Sequence, residues 1–456
     1  MTSQPQAQAG LPTLVPINSP RNFAAYAGDM MAFMVGLNFI PTATVLVALA
    51  SQLTDNSVLI GIVGMIGGAS WFLPQLFAAR IVHGKRRKKP YLIAAAAAGR
   101  QAYLLIALWL FITGAVQPIL TVWILIAGIA VFHIADALAG VAWFDMLSRA
   151  LTPRMRSRAI AIGEFAGSVL GIGAGFIVAR ILAPDGLPFP ANYAVIITCA
   201  WLSFDISLLF ILFIQENSMD EAERSRSTES QFRGHLAEAL RADRAFRKLL
   251  VARGLTGLDA MVVPFYIVFI TALLQLPAAA VGVFTVAYAV GSIIGIVFFG
   301  GVADRWGSLR VIHASAVMQF AAPALALLIA AVPAISSAAP DLAMGMFIVI
   351  MGLNGALSHS LLLGFVGYTL DASPERHRAI YVGVINTVGG LVSLTPVLAG
   401  VLIESLSRSA SQQAAYTAVF GLAAVCVGAG MLLSFRLPRP IHPVPVGAAP
   451  VGTADS

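Results

Sequence analysis

Twelve times along this chain a run of Leu, Ile, Val, Ala, Gly and Phe continues for about 20 residues before a short connection interrupts it. At 1.5 Å rise per residue, a helix of that length matches a hydrocarbon core about 30 Å thick. The runs are too long and too continuous for barrel strands, which take about 10 residues and alternate. In lipid each backbone N–H and C=O must be paired inside its own segment, so blocks of this kind fold as membrane helices. Composition agrees: 59% of the 456 residues are hydrophobic and 11% are charged, against roughly 25% charged in soluble domains.

Spans are expected near 22–52, 57–80, 90–113, 118–147, 158–182 and 192–214, then 248–274, 279–302, 311–333, 341–369, 379–403 and 413–435. Residues 215–248 divide the two sets and carry seven basic and seven acidic side chains, which cannot enter hydrocarbon. The organisation expected is a disordered cytoplasmic N-terminus (1–21), an N-terminal six-helix bundle (22–214), a cytoplasmic central loop (215–247), a C-terminal six-helix bundle (248–436) and a disordered cytoplasmic tail (437–456). The tail is polar and rich in proline, a composition that cannot bury a core. Within the central loop, Phe232, Leu236, Ala239, Leu240 and Phe246 recur every three or four residues and suggest a surface helix. Residues 1–19 lack a basic n-region, so the first block reads as an uncleaved span.

Orientation follows from the charges. Of the 28 Lys and Arg residues, 24 fall on one alternate set of connections and on the two ends, among them Lys85, Arg86, Arg87, Lys88 and Lys89, then Arg149, Arg154, Arg156 and Arg158. The positive-inside rule puts that face and both termini in the cytoplasm, in an inner membrane of bacterial type. The net charge of +7 thus belongs to the lipid bilayer as partner, and nucleic acid is not expected. Cys199 and Cys426 both lie within apolar blocks, so neither a disulfide nor a metal site is expected, and no cofactor.

The two halves repeat. Pro41, Gln52 and Leu53 recur as Pro264, Gln275 and Leu276, and Gly84 and Arg87 as Gly307 and Arg310, each shifted by 223. Arg158, Ala159, Ile160 and Gly163 recur as Arg378, Ala379, Ile380 and Gly383, shifted by 220. Two halves of the same orientation are related by an axis along the membrane normal, an arrangement that puts a transporter's site near midplane between them.

The loop after span eight reads Gly300-Gly301-Val302-Ala303-Asp304-Arg305-Trp306-Gly307-Ser308-Leu309-Arg310. It resembles the G-x-x-x-D-R-x-G-R loop of the major facilitator superfamily, and with twelve spans and a central loop the resemblance covers the whole chain. It implies an all-α integral membrane fold with 12 transmembrane helices in two pseudo-symmetric six-helix bundles. It also implies a cytoplasmic gate in which Asp304 sits against the N-terminus of span five near Arg158, flanked by Gly300, Arg305, Gly307 and Arg310. A carboxylate at an exposed helix N-terminus gains roughly 0.3–1 kcal/mol, suited to a latch that must open. The first-half copy, Arg80 to Arg87, has Ile81 where the acid should be, so the latch is expected in the second half. Span five carries Gly163, Gly167, Gly171, Gly173 and Gly175, partly resembling the glycine-rich signature of drug–proton antiporters on this fold, with Ile172 where a proline is expected.

Ionisable groups inside spans are expensive and mark candidate sites. Span four carries His133 and Asp136, three apart and on one side of the helix. Asp259 lies on span seven with Thr256 and Pro264 close by, and Asn354, Ser358 and His359 lie on span ten. In the superfamily, spans one, four, seven and ten line the central cavity, so the resemblance points to His133, Asp136, Asp259, Asn354 and His359 for substrate or proton contact. A buried carboxylate holds its charge at a cost, so Asp136 and Asp259 suit proton uptake and release. Asp29 and Arg100 lie at similar depth and read as a structural pair. Glu164 and Arg253 read as groups near the cytoplasmic ends that extend the latch or snorkel. Asp145 reads as an interfacial anchor.

The expectation is a monomeric secondary transporter of a small solute, not an enzyme, working by alternating access with proton-coupled efflux as a lean. No G-x-x-x-x-G-K-[ST] loop occurs, which points to a gradient as the energy source. A sensor on the same fold that moves no solute, and a membrane-embedded enzyme, are the alternatives.

Overall fold

A computed structural model describes residues 18–72, 74, 87–113, 116–216, 244–332, 340–358, 360–373 and 378–439. Every regular element among the described residues is helical. Among the described residues ten helices are long and apolar enough to cross a membrane, and two shorter apolar ones are consistent with the expected twelve. Spans one to six are Pro20–Leu53, Ser57–Phe72, Lys89–Thr113, Pro118–Ala150, Pro153–Ile181 and Ala191–Phe213. Spans seven to twelve are Arg244–Thr271, Ala280–Trp306, Ser308–Ala331, Pro340–Leu357, Tyr381–Ser409 and Gln412–Ser434. Several run past their expected ends: span four continues to Ala150 and span eight to Trp306. Hydropathy marks the hydrocarbon slab, whereas a helix keeps its hydrogen bonds into the polar interface. The central surface helix suggested by Phe232 to Phe246 lies outside the described residues except at Phe246, which is buried in the first turns of span seven, and the first-half loop Arg80 to Arg86 lies outside them too.

The outer surface is the reverse of a soluble protein. Leu105, Ile112 and Val425 are 65%, 80% and 72% exposed, while Asp29 and Arg100 are 5% exposed each. Hydrocarbon gives apolar side chains no reason to turn inward, so the charges do.

Packing follows the repeat. Span one lies against spans five and six, and span seven against eleven and twelve. Spans three and four pair as nine and ten do, and spans two and four as eight and ten do. The halves meet through spans two and eleven and through spans five and eight, and the repeat carries one of these interfaces onto the other. Span five docks on span one through glycines four residues apart. A Cβ at Gly163, Gly167 or Gly171 would run into Met30, Met34 or Asn38, the close approach that small residues permit.

Contact between the halves is tight at midplane and on the side away from the basic loops. There a Cβ on Gly61 would sit 2.5 Å from the Pro396 carbonyl oxygen, Gly400 abuts Ser57, Gly175 abuts Val286 and Gly282 abuts Ala179. Buried Thr44 and Thr285 face each other at 3.0 Å across the same interface. Thr285 donates to the Val281 carbonyl, which leaves Thr44 to donate between the halves.

Candidate functional site

Proline has no N–H, so it cannot donate to the carbonyl four residues before it. Pro41 thereby deprives Leu37, and Pro264 deprives Ala260; both prolines and both partners sit at equivalent places in the repeat, shifted by 223. At these points the spans break. Span one stops at Phe39, resumes as a π turn over Thr42–Leu46, and returns to α-helix at Val47. Span seven tightens to a 3₁₀ segment over Gly257–Met261 before Val263–Val268. Span ten ends at Leu357 and widens to a π segment over Leu361–Val366. Of spans one, four, seven and ten, the four expected to line the cavity, only span four is unbroken among the described residues. Irregular backbone at membrane depth is tolerated where it lines a cavity, and these breaks do: Leu37, Pro41, Ala260 and Pro264 all face one central cavity of about 510 Å³.

The cavity wall comes from both halves. Asn38, His133, Glu164 and Ser168 supply the polar side from the first; Tyr288, Ser292, Ser358 and Ser393 supply it from the second. His133 is held by a 2.9 Å hydrogen bond between Nδ1 and the Ile129 carbonyl, which leaves Nε2 for the cavity. The Ser358 hydroxyl donates to the Gly355 carbonyl at 2.7 Å. A second cavity of about 300 Å³ shares Ala260, Val263, Ser358 and Ser393 with the first and lies toward the basic face. Asp259 and Asn354 line this smaller chamber, with Arg253, Gln319 and Phe365. Asn354 Nδ2 donates to the Ile350 carbonyl at 2.8 Å.

One of the expected cavity residues stands elsewhere. Asp136 lines neither chamber; its neighbours are Trp71, Arg100 and Asp29. Three residues along a helix turn through about 300°, so His133 and Asp136 diverge by roughly 60°, enough to put one on the cavity and the other behind it. His359 lies outside the described residues. Glu164, expected near the gate, is on the wall of the central cavity, and Arg253 is on that of the smaller one.

Behind the first-half wall is a buried charged network. Asp29 accepts from Trp143 Nε1 at 2.7 Å and from the Ser207 hydroxyl. Arg100 Nη2 lies 3.7 Å from Asp29 Oδ1 and donates to Ser207 at 2.9 Å. The adjacent Gln101 reaches Asp205 at 3.3 Å, a partner that spacing could not supply because it lies across two spans. Asp145 joins Lys88 at 2.8 Å and Arg149 at 3.0 Å, tying the start of span three to the end of span four.

The loop of the expected gate is built as a sharp turn. Gly307 ends span eight at φ 79°, a conformation side chains resist, and span nine starts at Ser308. Ser308 donates to Asp371 at 2.8 Å, fixing the turn to the end of span ten. Asp304, Arg305 and Arg310 are exposed. Asp304 makes no ion pair or hydrogen bond with span five among the described residues. Nothing crowds the Cβ position of Gly300.

Comparison with known proteins agrees with this architecture. Residues 249–454 match the family model described as Major Facilitator Superfamily. No curated protein matches by sequence. Among solved structures, the nucleoside transporter NupG aligns at 15% identity and TM-score 0.61, over 91% of this chain and 99% of that one. A bacterial homologue of the human lysosomal transporter Spinster, in an inward-facing and unoccupied conformation, aligns at 13% identity and TM-score 0.59, over 94% and 100%. A mutant of the peptide transporter POT aligns at 10% identity and TM-score 0.63, over 94% and 98%. The whole chain has the fold of these transporters, and its second half matches the superfamily directly.

Proposed function

We infer that this chain of the major facilitator fold is a secondary active transporter, which moves a small solute across an inner membrane by rocking its halves about the central cavity. The observation that carries this is the paired interruption of spans one and seven, whose residues Leu37, Pro41, Ala260 and Pro264 line one chamber of about 510 Å³. A purely structural bundle has no use for two broken helices at midplane, each of which forfeits backbone hydrogen bonds. The cavity volume falls in the range of small-molecule sites, roughly 300–1,000 Å³.

With the basic face in the cytoplasm, the sealed side is periplasmic, and the exposed Asp304 belongs to an inward-open state. Asp304 meeting the start of span five would then close the cytoplasmic side. Asp259, on the wall of the smaller chamber, is the group best placed to couple proton movement to this cycle. Asp136 would act behind the wall, through Arg100. The test is flux of a solute panel into liposomes holding the purified chain, under imposed pH and solute gradients. Saturable flux with at least one solute is expected. Its absence for every solute, together with binding of a soluble partner at the basic face, would leave the sensor reading standing instead.

A further inference from the structure

Arg253 stands on span seven, in the wall of the smaller chamber, in an unusual position for a cation. Its Nε is enclosed and has no hydrogen-bond partner. Its guanidinium carbon lies 5.4 Å from the centre of the Phe365 ring, so the ring holds the plane without satisfying its N–H groups. A Cβ at Gly257 would sit 2.7 Å from Nη1, and one at Gly389 would sit 3.3 Å from Nη2. The two glycines thus leave the room that the fork occupies. Asp259 acts on Arg253 through space, yet the two form no contact ion pair among the described residues.

The chamber has a matching acceptor. Gln319 lines it, is only 8% exposed, and its Oε1 has no partner. A buried polar atom without a partner is costly, and a native protein retains one where something else completes it. An enclosed donor fork and an unpaired acceptor therefore line a cavity of about 300 Å³ that shares a wall with the central one.

We propose that this chamber recognises a small organic anion carrying a hydrogen-bond donor of its own. Arg253 takes the carboxylate or phosphate through its planar fork. Gln319 Oε1 and Asp259 accept from an O–H or N–H on the same molecule. The proposal rests on the transporter reading and names its substrate class; neutral sugars and hydrophobic cations are outside it.

The test is thermal unfolding of the full purified chain in detergent, titrated with lactate and alanine as carboxylates and with glycerol 3-phosphate and inorganic phosphate as phosphates. Lactamide and glycerol are the neutral counterparts. At least one anion is expected to raise the unfolding temperature while its neutral counterpart does not, and which anions succeed tells carboxylate from phosphate. Arg253→Gln is expected to weaken that binding about 10- to 100-fold. Arg253→Lys, which keeps the charge but loses the fork, and Gln319→Leu, which removes the acceptor, each weaken it and cover the case in which Arg253→Gln does not fold. Stabilisation by no anion, equal stabilisation by a neutral counterpart, or wild-type affinity in the folded variants overturns the proposal. Saturable flux of a neutral solute in liposomes would leave the transporter reading intact while sinking this one.

Discussion

Replacing Gly61 with alanine tests whether the sealed side is one face of a two-state equilibrium. The new Cβ would lie 2.5 Å from the Pro396 carbonyl oxygen and 3.2 Å from the Val397 Cα. Both are backbone atoms of a packed helix and cannot swing aside. Overpacking of this kind costs about 1–3 kcal/mol. The cost falls only on the state in which spans two and eleven touch, so the equilibrium moves toward opening by about 5- to 150-fold. The gain in helix propensity from Gly to Ala applies to both states and cancels. The readout is the rate at which an impermeant maleimide labels Thr44→Cys, placed at a position that is fully buried in the sealed state. Cys199 and Cys426 are first replaced with serine. Gly173→Ala is the control, because nothing lies within 4 Å of that Cβ. Gly61→Ala should label many times faster, and Gly173→Ala at the parent rate. A folded Gly61→Ala protein that labels at the parent rate would refute the argument.

Three further outcomes are expected. Arg100→Ala leaves the Asp29 carboxylate buried without its cation; losing one partner of such a pair costs about 3–5 kcal/mol, visible as a large fall in unfolding temperature in detergent, and Asp29→Asn with Arg100→Gln should recover part of it. Asp259→Asn should uncouple flux from an imposed pH gradient while Asp136→Asn weakens it through Arg100, and flux that follows the pH gradient unchanged in the double variant would remove both acids from coupling. Gly307→Val forces a β-branched side chain to φ 79°, at a cost of about 1–3 kcal/mol; lower thermal stability of the full chain, with Gly301→Val nearly neutral, is the expected pattern.

The spans were legible because hydrocarbon imposes one length and one polarity on every segment that crosses it. Their ends were not, since Trp306 and Ala150 extend helices into water where hydropathy carries no information. Pro41 and Pro264 marked where two spans break, although both spans were expected to run through them unbroken. The break after Leu357 had no such marker, because a π turn needs no special residue. Asp29 and Arg100 could be paired from equal depth alone, as depth is linear in sequence. Rotation about the helix axis is a different quantity: it decided that His133 faces the cavity while Asp136 turns to Trp71, and that Arg253 enters a chamber rather than snorkelling to the interface. The small polar residues of the wall, Ser168, Ser292 and Ser393, gave only the signal of hydroxyls within apolar runs.

The account turns on whether the sealed interface must open for a solute to pass. Thr44→Cys and Thr285→Cys, whose parent hydroxyls are 3.0 Å apart, can be joined by a short reducible crosslinker in the cysteine-free chain reconstituted in liposomes. The account predicts that flux stops on crosslinking and returns on reduction, with single-cysteine proteins unaffected. Undiminished flux through fully crosslinked protein would contradict it.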